Sequence, residues 1–193
     1  MPLIPAIMTE LLSAYMDSEL IFGVSAINVA TAVSLGFCEY AITSLTVESV
    51  DVGAVGAGVG AGVGIFISSS ALIASLTSSF ESAGIHGPMK NPLISAISNT
   101  VSDMLKLSII TTVNAGVGIG TGKVSVIPSP SSSIPIMMYN FLSLGLIGIA
   151  SPTISKAIAQ GIDQAMISAT GFIIISGPAG PSPGVGTGIG KIF

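Results

Sequence analysis

The sequence has 193 residues, 7% of them charged and 50% hydrophobic, with a mean hydropathy of +0.91 and no arginine or tryptophan. Ordinary soluble domains carry roughly 25% charged residues, so a free-standing molecule of this composition would expose large apolar patches and associate. Nine acids against five lysines, net −4, exclude phosphate-driven binding of duplex nucleic acid, the lone Cys38 excludes an intrachain disulfide, and high apolar content at low net charge excludes intrinsic disorder.

In chain order, residues 5–17 place Ile7, Leu11, Leu12 and Tyr15 at helical spacing and predict a short amphipathic helix. Glu10, Asp17 and Glu19 sit early with no basic cluster before them, unlike a signal peptide. Residues 19–37 form a second apolar segment. It is uncharged from Leu20 to Cys38, long enough to span a bilayer, and diluted by Asn28 and several hydroxyl residues. Residues 40–47 are β-type in composition. Glu48 and Asp51 precede a glycine-alternating stretch, residues 58–64, that runs on into Ile65, Phe66 and Ile67.

Residues 68–70, all serine, cap a predicted helix over 71–81. Residues 84–88 break it. Asn91 and Pro92 then supply an N-cap and a proline at the first helical position of a helix to about Lys106. Residues 108–113 read as a strand, Asn114 and Ala115 as a turn, and residues 116–123 as a second glycine strand continuing to Ile127. Residues 128–135, rich in proline and serine, read as a linker. Residues 136–149 and 151–168 read as helices, 171–176 as a strand, 177–183 as a long turn and 184–191 as a third glycine strand.

The second and third sections align: Asn91-Pro92-Leu93-Ile94-Ser95 matches Ser151-Pro152-Thr153-Ile154-Ser155, and Asp103 and Asp163 sit at similar points on their helices. Units that cannot bury their own apolar face must pack together. The expected architecture is α+β: three repeated units of two helices plus a β-hairpin, each ending in a glycine-alternating strand, arranged with pseudo-three-fold symmetry or as a wrapped sheet of hairpins. The unit boundaries are 1–68, 69–128 and 136–193, with 129–135 as a linker, in one compact domain.

The glycine strands are the candidate functional elements. They contain Gly58, Gly60, Gly62 and Gly64; Gly116, Gly118, Gly120 and Gly122; and Gly184, Gly186, Gly188 and Gly190. In an extended strand successive side chains point to opposite faces, so alternating glycine leaves one face bare. Glycine weakens a strand, and its persistence implies that other backbone presses on the bare side. For the first copy a helix competes, because Gly56, Gly60 and Gly64 have the small-xxx-small spacing of packed membrane helices. Neither the P-loop pattern nor the dinucleotide pattern fits the strict period of two.

His86 is the only histidine, so a histidine metal cluster is excluded; it reads as a surface-loop residue, and Cys38 as a small buried hydrophobe. Asp103 and Asp163 read as solvated or lysine-paired. Lys123 and Lys191 end their glycine strands and read as edge protection, with a ring of symmetric lysines as the sharper idea. No catalytic set, metal or cofactor is expected.

Extreme apolarity and the repeated Gly-x-Gly-x-Gly-x-Gly-Lys ending at Lys123 and Lys191 resemble small hydrophobic virion proteins of tailed bacteriophages, at the tail tip or baseplate hub. That resemblance implies a non-enzymatic structural protein in the virion, permanently packed among other protein chains and plugging or lining a central axis. The alternative is an integral membrane protein forming a holin-like oligomeric pore. It is motivated by the charge-free runs 20–38, 52–80 and 164–190, but those runs lack basic flanks and interfacial tryptophans.

Overall fold

The computed structural model describes residues 4–54, 57–63, 69–107, 109–115, 119–127, 130–168, 171–176 and 184–192, with side chains described for 4–45, 70–106 and 132–167. Its helices are α1 (Pro5–Ser18), α2 (Val24–Thr43), α3 (Ser69–Ser82), α4 (Lys90–Leu107), α5 (Pro130–Ser143) and α6 (Ser151–Ser168). Its strands are β1 (Thr46–Ala54), β2 (Ala57–Val63), β3 (Ile109–Ala115), β4 (Ile119–Ile127), β5 (Gly171–Ser176) and β6 (Gly184–Ile192). Two helices followed by two strands recur three times.

Each helix buries a stripe at helical spacing. In α1 the stripe is Met8, Leu12 and Met16; in α3, Leu72, Leu76 and Phe80; in α5, Ser133, Met137 and Phe141. The stripes of α2, α4 and α6 run through Val33 and Phe37, Ile97 and Val101, and Ile158 and Ile162.

The corner inside each helix pair is closed by the same backbone device. Ile21 N–H donates to Met16 O at 2.9 Å, Ile85 N–H to Phe80 O at 2.9 Å, and Leu146 N–H to Phe141 O at 2.9 Å. The residue before each donor has left-handed φ: Leu20 at 61°, Gly84 at 69° and Gly145 at 74°. This is the Schellman termination, with the apolar pair that usually accompanies it. Glycine carries the left-handed turn at two corners; Leu20 bears the side-chain cost at the third.

Helix pairs meet through one repeated contact. Gly36 of α2 lies so close to α3 that an added Cβ would stand 2.8 Å from Leu76 Cα. At the matching place on α4, Thr100 Oγ1 lies 3.3 Å from Met137 Sδ of α5. On α6, Gly161 abuts Leu12 of α1. Leu12, Leu76 and Met137 occupy the same step of their helices, four residues before the apolar partner of the Schellman corner. The third contact returns the chain to its first helix, so the six helices form a closed ring.

The expected α+β class is overturned for this body. Among the residues whose side chains are described, the molecule is six helices with no strand, and its hydrophobic core lies wholly on helices and the residues that flank them. Each helix finds a helix neighbour on both sides, so apolar stripes close on one another and no sheet is needed to cover them. Residues 40–43, read from composition as β-type, belong to α2. Tyr40 and Ala41 are buried on the face of Val33 and Phe37, and Thr43 Oγ1 donates back to Glu39 O at 2.7 Å. Tertiary burial here overrides β-type composition. Most of the stretch read as a linker is the start of α5, with Pro135 inside the helix.

The strand segments are described by backbone pairing. Sequential antiparallel ladders from β1 to β6, with β6 returning to β1, close a barrel. Closure leaves no edge strand.

Candidate functional site

Four places in the described body carry polar or open features. The first is Asp163 of α6, only 2% exposed. Ser133 Oγ of α5 donates to Asp163 Oδ2; Oδ1 is buried without a hydrogen-bond partner. Burial pushes the carboxyl up to about 6, against the lowering pull of the Ser133 hydrogen bond. Aligned on the corners, the position of Asp163 is held by Cys38 in the first unit and Ser102 in the second. That of Ser133 is held by Met8 and Leu72. In the first unit Cys38 Sγ lies 3.9 Å from Met8 Sδ. The third unit thus replaces a soft apolar pair with a buried acid and a hydroxyl.

The second is the α4–α5 seam. Asn140 Nδ2 donates to Thr100 Oγ1 at 3.0 Å, and Thr100 Oγ1 donates to Ala96 O at 2.7 Å. Both residues are buried, and the network fixes α5 on α4 by directional bonds where the other two seams use glycine.

The third is an apolar cavity of about 90 Å³ between the end of α5 and the start of α6, lined by Met138, Phe141, Leu142, Leu146, Ile147 and Pro152 among others. A wider cleft of about 380 Å³ is bordered by Leu35, Cys38, Glu39 and serines of α3. Burial pushes the Cys38 thiol up to about 11, away from the thiolate that nucleophilic chemistry needs. No cluster of three or more His, Cys, Asp or Glu among the described residues is placed to hold a metal.

His86 is exposed in the α3–α4 corner. Asp103 is half-buried, its side chain 46% exposed, and is paired with Lys106 at 3.0 Å. Asp163, expected to be solvated or lysine-paired, is instead buried on Ser133. Gly58, Gly60 and Gly62 lie in β2, Gly120 and Gly122 in β4, and Gly184, Gly186, Gly188 and Gly190 in β6; Gly64, Gly116 and Gly118 lie outside the described residues.

Directly paired residues of an antiparallel ladder share a face. Gly58 pairs with Asn114, Asn114 with Gly122, Gly122 with Ile173, and Ile173 with Gly190. The nine described glycines therefore share one face of the barrel. Lys123 and Lys191 both pair with Phe172, one from each side, on the opposite face. Their side chains lie outside the described residues.

Sequence reasoning missed the seam residues Gly36 and Gly161. The signal available was a glycine inside a helical pattern, which marks a close approach. It also missed the Schellman corners, where only Gly84 and Gly145 announced themselves. No family model, curated protein or solved structure matches the chain.

Proposed function

We propose that this protein is a non-enzymatic structural component of a large symmetric assembly, a hub element of a bacteriophage tail tip or baseplate held among other protein chains in the virion. The observation that carries the reading is the repeated seam: Gly36 on Leu76, Thr100 by Met137, Gly161 on Leu12. One chain that repeats a contact three times around a closed ring presents three similar sides. Such a chain can occupy a three-fold axis as a single copy, where a protein without internal repeats would need three. The apolar composition fits a molecule whose surface is taken up by neighbours.

The membrane alternative rests on α2, which is long and apolar enough to cross a bilayer. Half of that window is buried within the ring, which suits a core helix better than a span.

Affinity capture of the tagged chain from assembled particles, followed by native mass spectrometry, tests the proposal. The expected result is one copy bound to three, or a multiple of three, identical partner chains. Recovery of the chain in detergent-solubilised membrane, free of partner proteins, would reject it.

A further inference from the structure

The ring has two unlike ends. Lys156 of α6 pairs with Glu19 at the α1–α2 corner, and further along the same two helices Gly161 meets Leu12. Helices α1 and α6 are therefore antiparallel, and the α1–α2 and α5–α6 corners lie at one end. These two corners are apolar, whereas the α3–α4 corner at the same end carries the Glu81–Lys90 ion pair and an exposed His86. Leu20 is 78% exposed, Phe22 66% and Val24 75% at the first corner, and Ile147 77% and Ile149 fully exposed at the third.

With Leu142 added, six side chains offering somewhat over 100 Å² each expose roughly 700 Å² of apolar surface in total, on two corners that adjoin across the Glu19–Lys156 ion pair. That exceeds the largest patch of a typical monomer, about 300–600 Å², and approaches the roughly 800 Å² that one partner gives to a stable interface.

The two corners differ in shape. The first projects Leu20 and Phe22 around a left-handed turn. The third is hollow: the apolar cavity opens between Met138, Leu142 and Ile147 on one side and Pro152 on the other. Its volume is about 90 Å³, below the roughly 150 Å³ of a closed cavity that takes up benzene, so an aromatic ring enters it in part and the rest of the ring stays in the mouth. The α6 wall of the cavity, Ser151, Pro152 and Ser155, is continuous with Lys156, which holds the projecting corner. Knob and hole thus adjoin on one surface.

We propose that this end is the interface of a two-fold dimer of the chain itself, in which Phe22 of each copy seats in the α5–α6 cavity of the other. A two-fold axis pairs unlike features of one surface twice, as a self-complementary interface requires. Charge favours a protein occupant over an anionic lipid surface. Each lysine whose side chain is described is ion-paired, Lys90 to Glu81, Lys106 to Asp103 and Lys156 to Glu19, leaving no unpaired lysine among them to meet headgroups. The dimer would shield the apolar end before any assembly takes up the chain, and it does not depend on the hub reading.

Cysteine cross-linking tests it, because Cys38 is buried and its thiol is held protonated. Phe22→Cys and Ile147→Cys proteins are prepared separately, mixed and oxidised. A covalent dimer that forms in the mixture and in neither protein alone is the expected result. Phe22→Ser should raise the dimer dissociation constant at least about tenfold, with a melting profile unchanged at concentrations low enough that both proteins are monomeric, while Leu35→Ser, on an exposed site of α2 outside the patch, should not. A wild-type monomer at micromolar concentration in sedimentation velocity overturns the proposal. So does cross-linking of Phe22→Cys with itself, or flotation of a monomeric wild type with phosphatidylcholine–phosphatidylglycerol vesicles that Phe22→Ser abolishes. None of these readings requires the assembly partner, so failure here is distinct from failure of the hub reading.

Discussion

Leu12 of α1 fills the space beside Gly161 of α6 in which a Cβ would have to sit, its Cγ standing 2.8 Å from that position. Leu76 of α3 stands in the matching relation to Gly36 of α2, but there the obstructing atom is backbone, Cα at 2.8 Å. The difference separates two otherwise similar substitutions. An alanine in either helix gains up to about 1 kcal/mol of helix propensity. At Gly161 the Leu12 side chain must repack within the core while its backbone, Cα at 3.5 Å, stays clear, so Gly161→Ala should lose about 1 kcal/mol. At Gly36 whole helices must part, and Gly36→Ala should lose on the order of 1–3 kcal/mol. Urea denaturation of both variants measures the contrast.

Asp163 gives the ring a distinctive pH response. Its folded-state carboxyl titrates at about 6, above the unfolded reference of 3.8, so the folded protein holds the proton more tightly. The resulting stability is complete below about pH 3.8, falls as pH rises through 6, and is gone above that. The difference is on the order of 2–3 kcal/mol. Asp163→Asn keeps an acceptor for Ser133 and carries no charge. Between pH 7.5 and 5 the wild type should gain stability relative to this variant. Parallel urea midpoints at the two values would contradict the assignment.

At the first corner, Leu20 holds a left-handed φ of 61° that glycine holds at the other two. That conformation costs an L-residue about 1–2 kcal/mol, against roughly 0.5–1 kcal/mol of extra unfolded-state entropy for glycine. Leu20→Gly should raise the melting temperature slightly, and Gly84→Leu should lower it. The same Leu20→Gly change removes part of the proposed dimer surface, so stability rises while association weakens.

The α4–α5 seam depends on a polar chain. Thr100→Val removes the acceptor of the buried Asn140 amide and should cost about 1–3 kcal/mol. Adding Asn140→Leu removes the stranded donor and should recover most of that loss. A double-mutant cycle by thermal or chemical denaturation gives the coupling.

The starts of α1 and α6 were legible in the sequence because they depend on local patterns, whereas α5 begins at Pro130, inside the stretch read as a linker, and α4 begins at Lys90, one residue before the expected N-cap Asn91. Pro5 opens α1, and Ser151 with Pro152 opens α6; helical spacing of apolar residues marked the segments between. Residues 40–43 were misjudged because their composition is β-type while their burial beside Phe37 is helical, and burial is not a local property. Asp163 was misjudged for the same reason: its neighbours in sequence do not reveal that α5 covers it.

The sequence by itself determined the threefold recurrence of helix pairs, the glycine alternation and the shortage of charge, since each is a matter of residue type and spacing. Only the tertiary structure decided that the described body is a closed helical ring. Ring closure depends on Gly161 meeting Leu12 across almost the whole chain, and no local preference encodes so distant a contact. The fate of Asp163 was decided there too, because a carboxyl's protonation follows the dielectric and hydrogen bonds around it, which neighbouring helices supply.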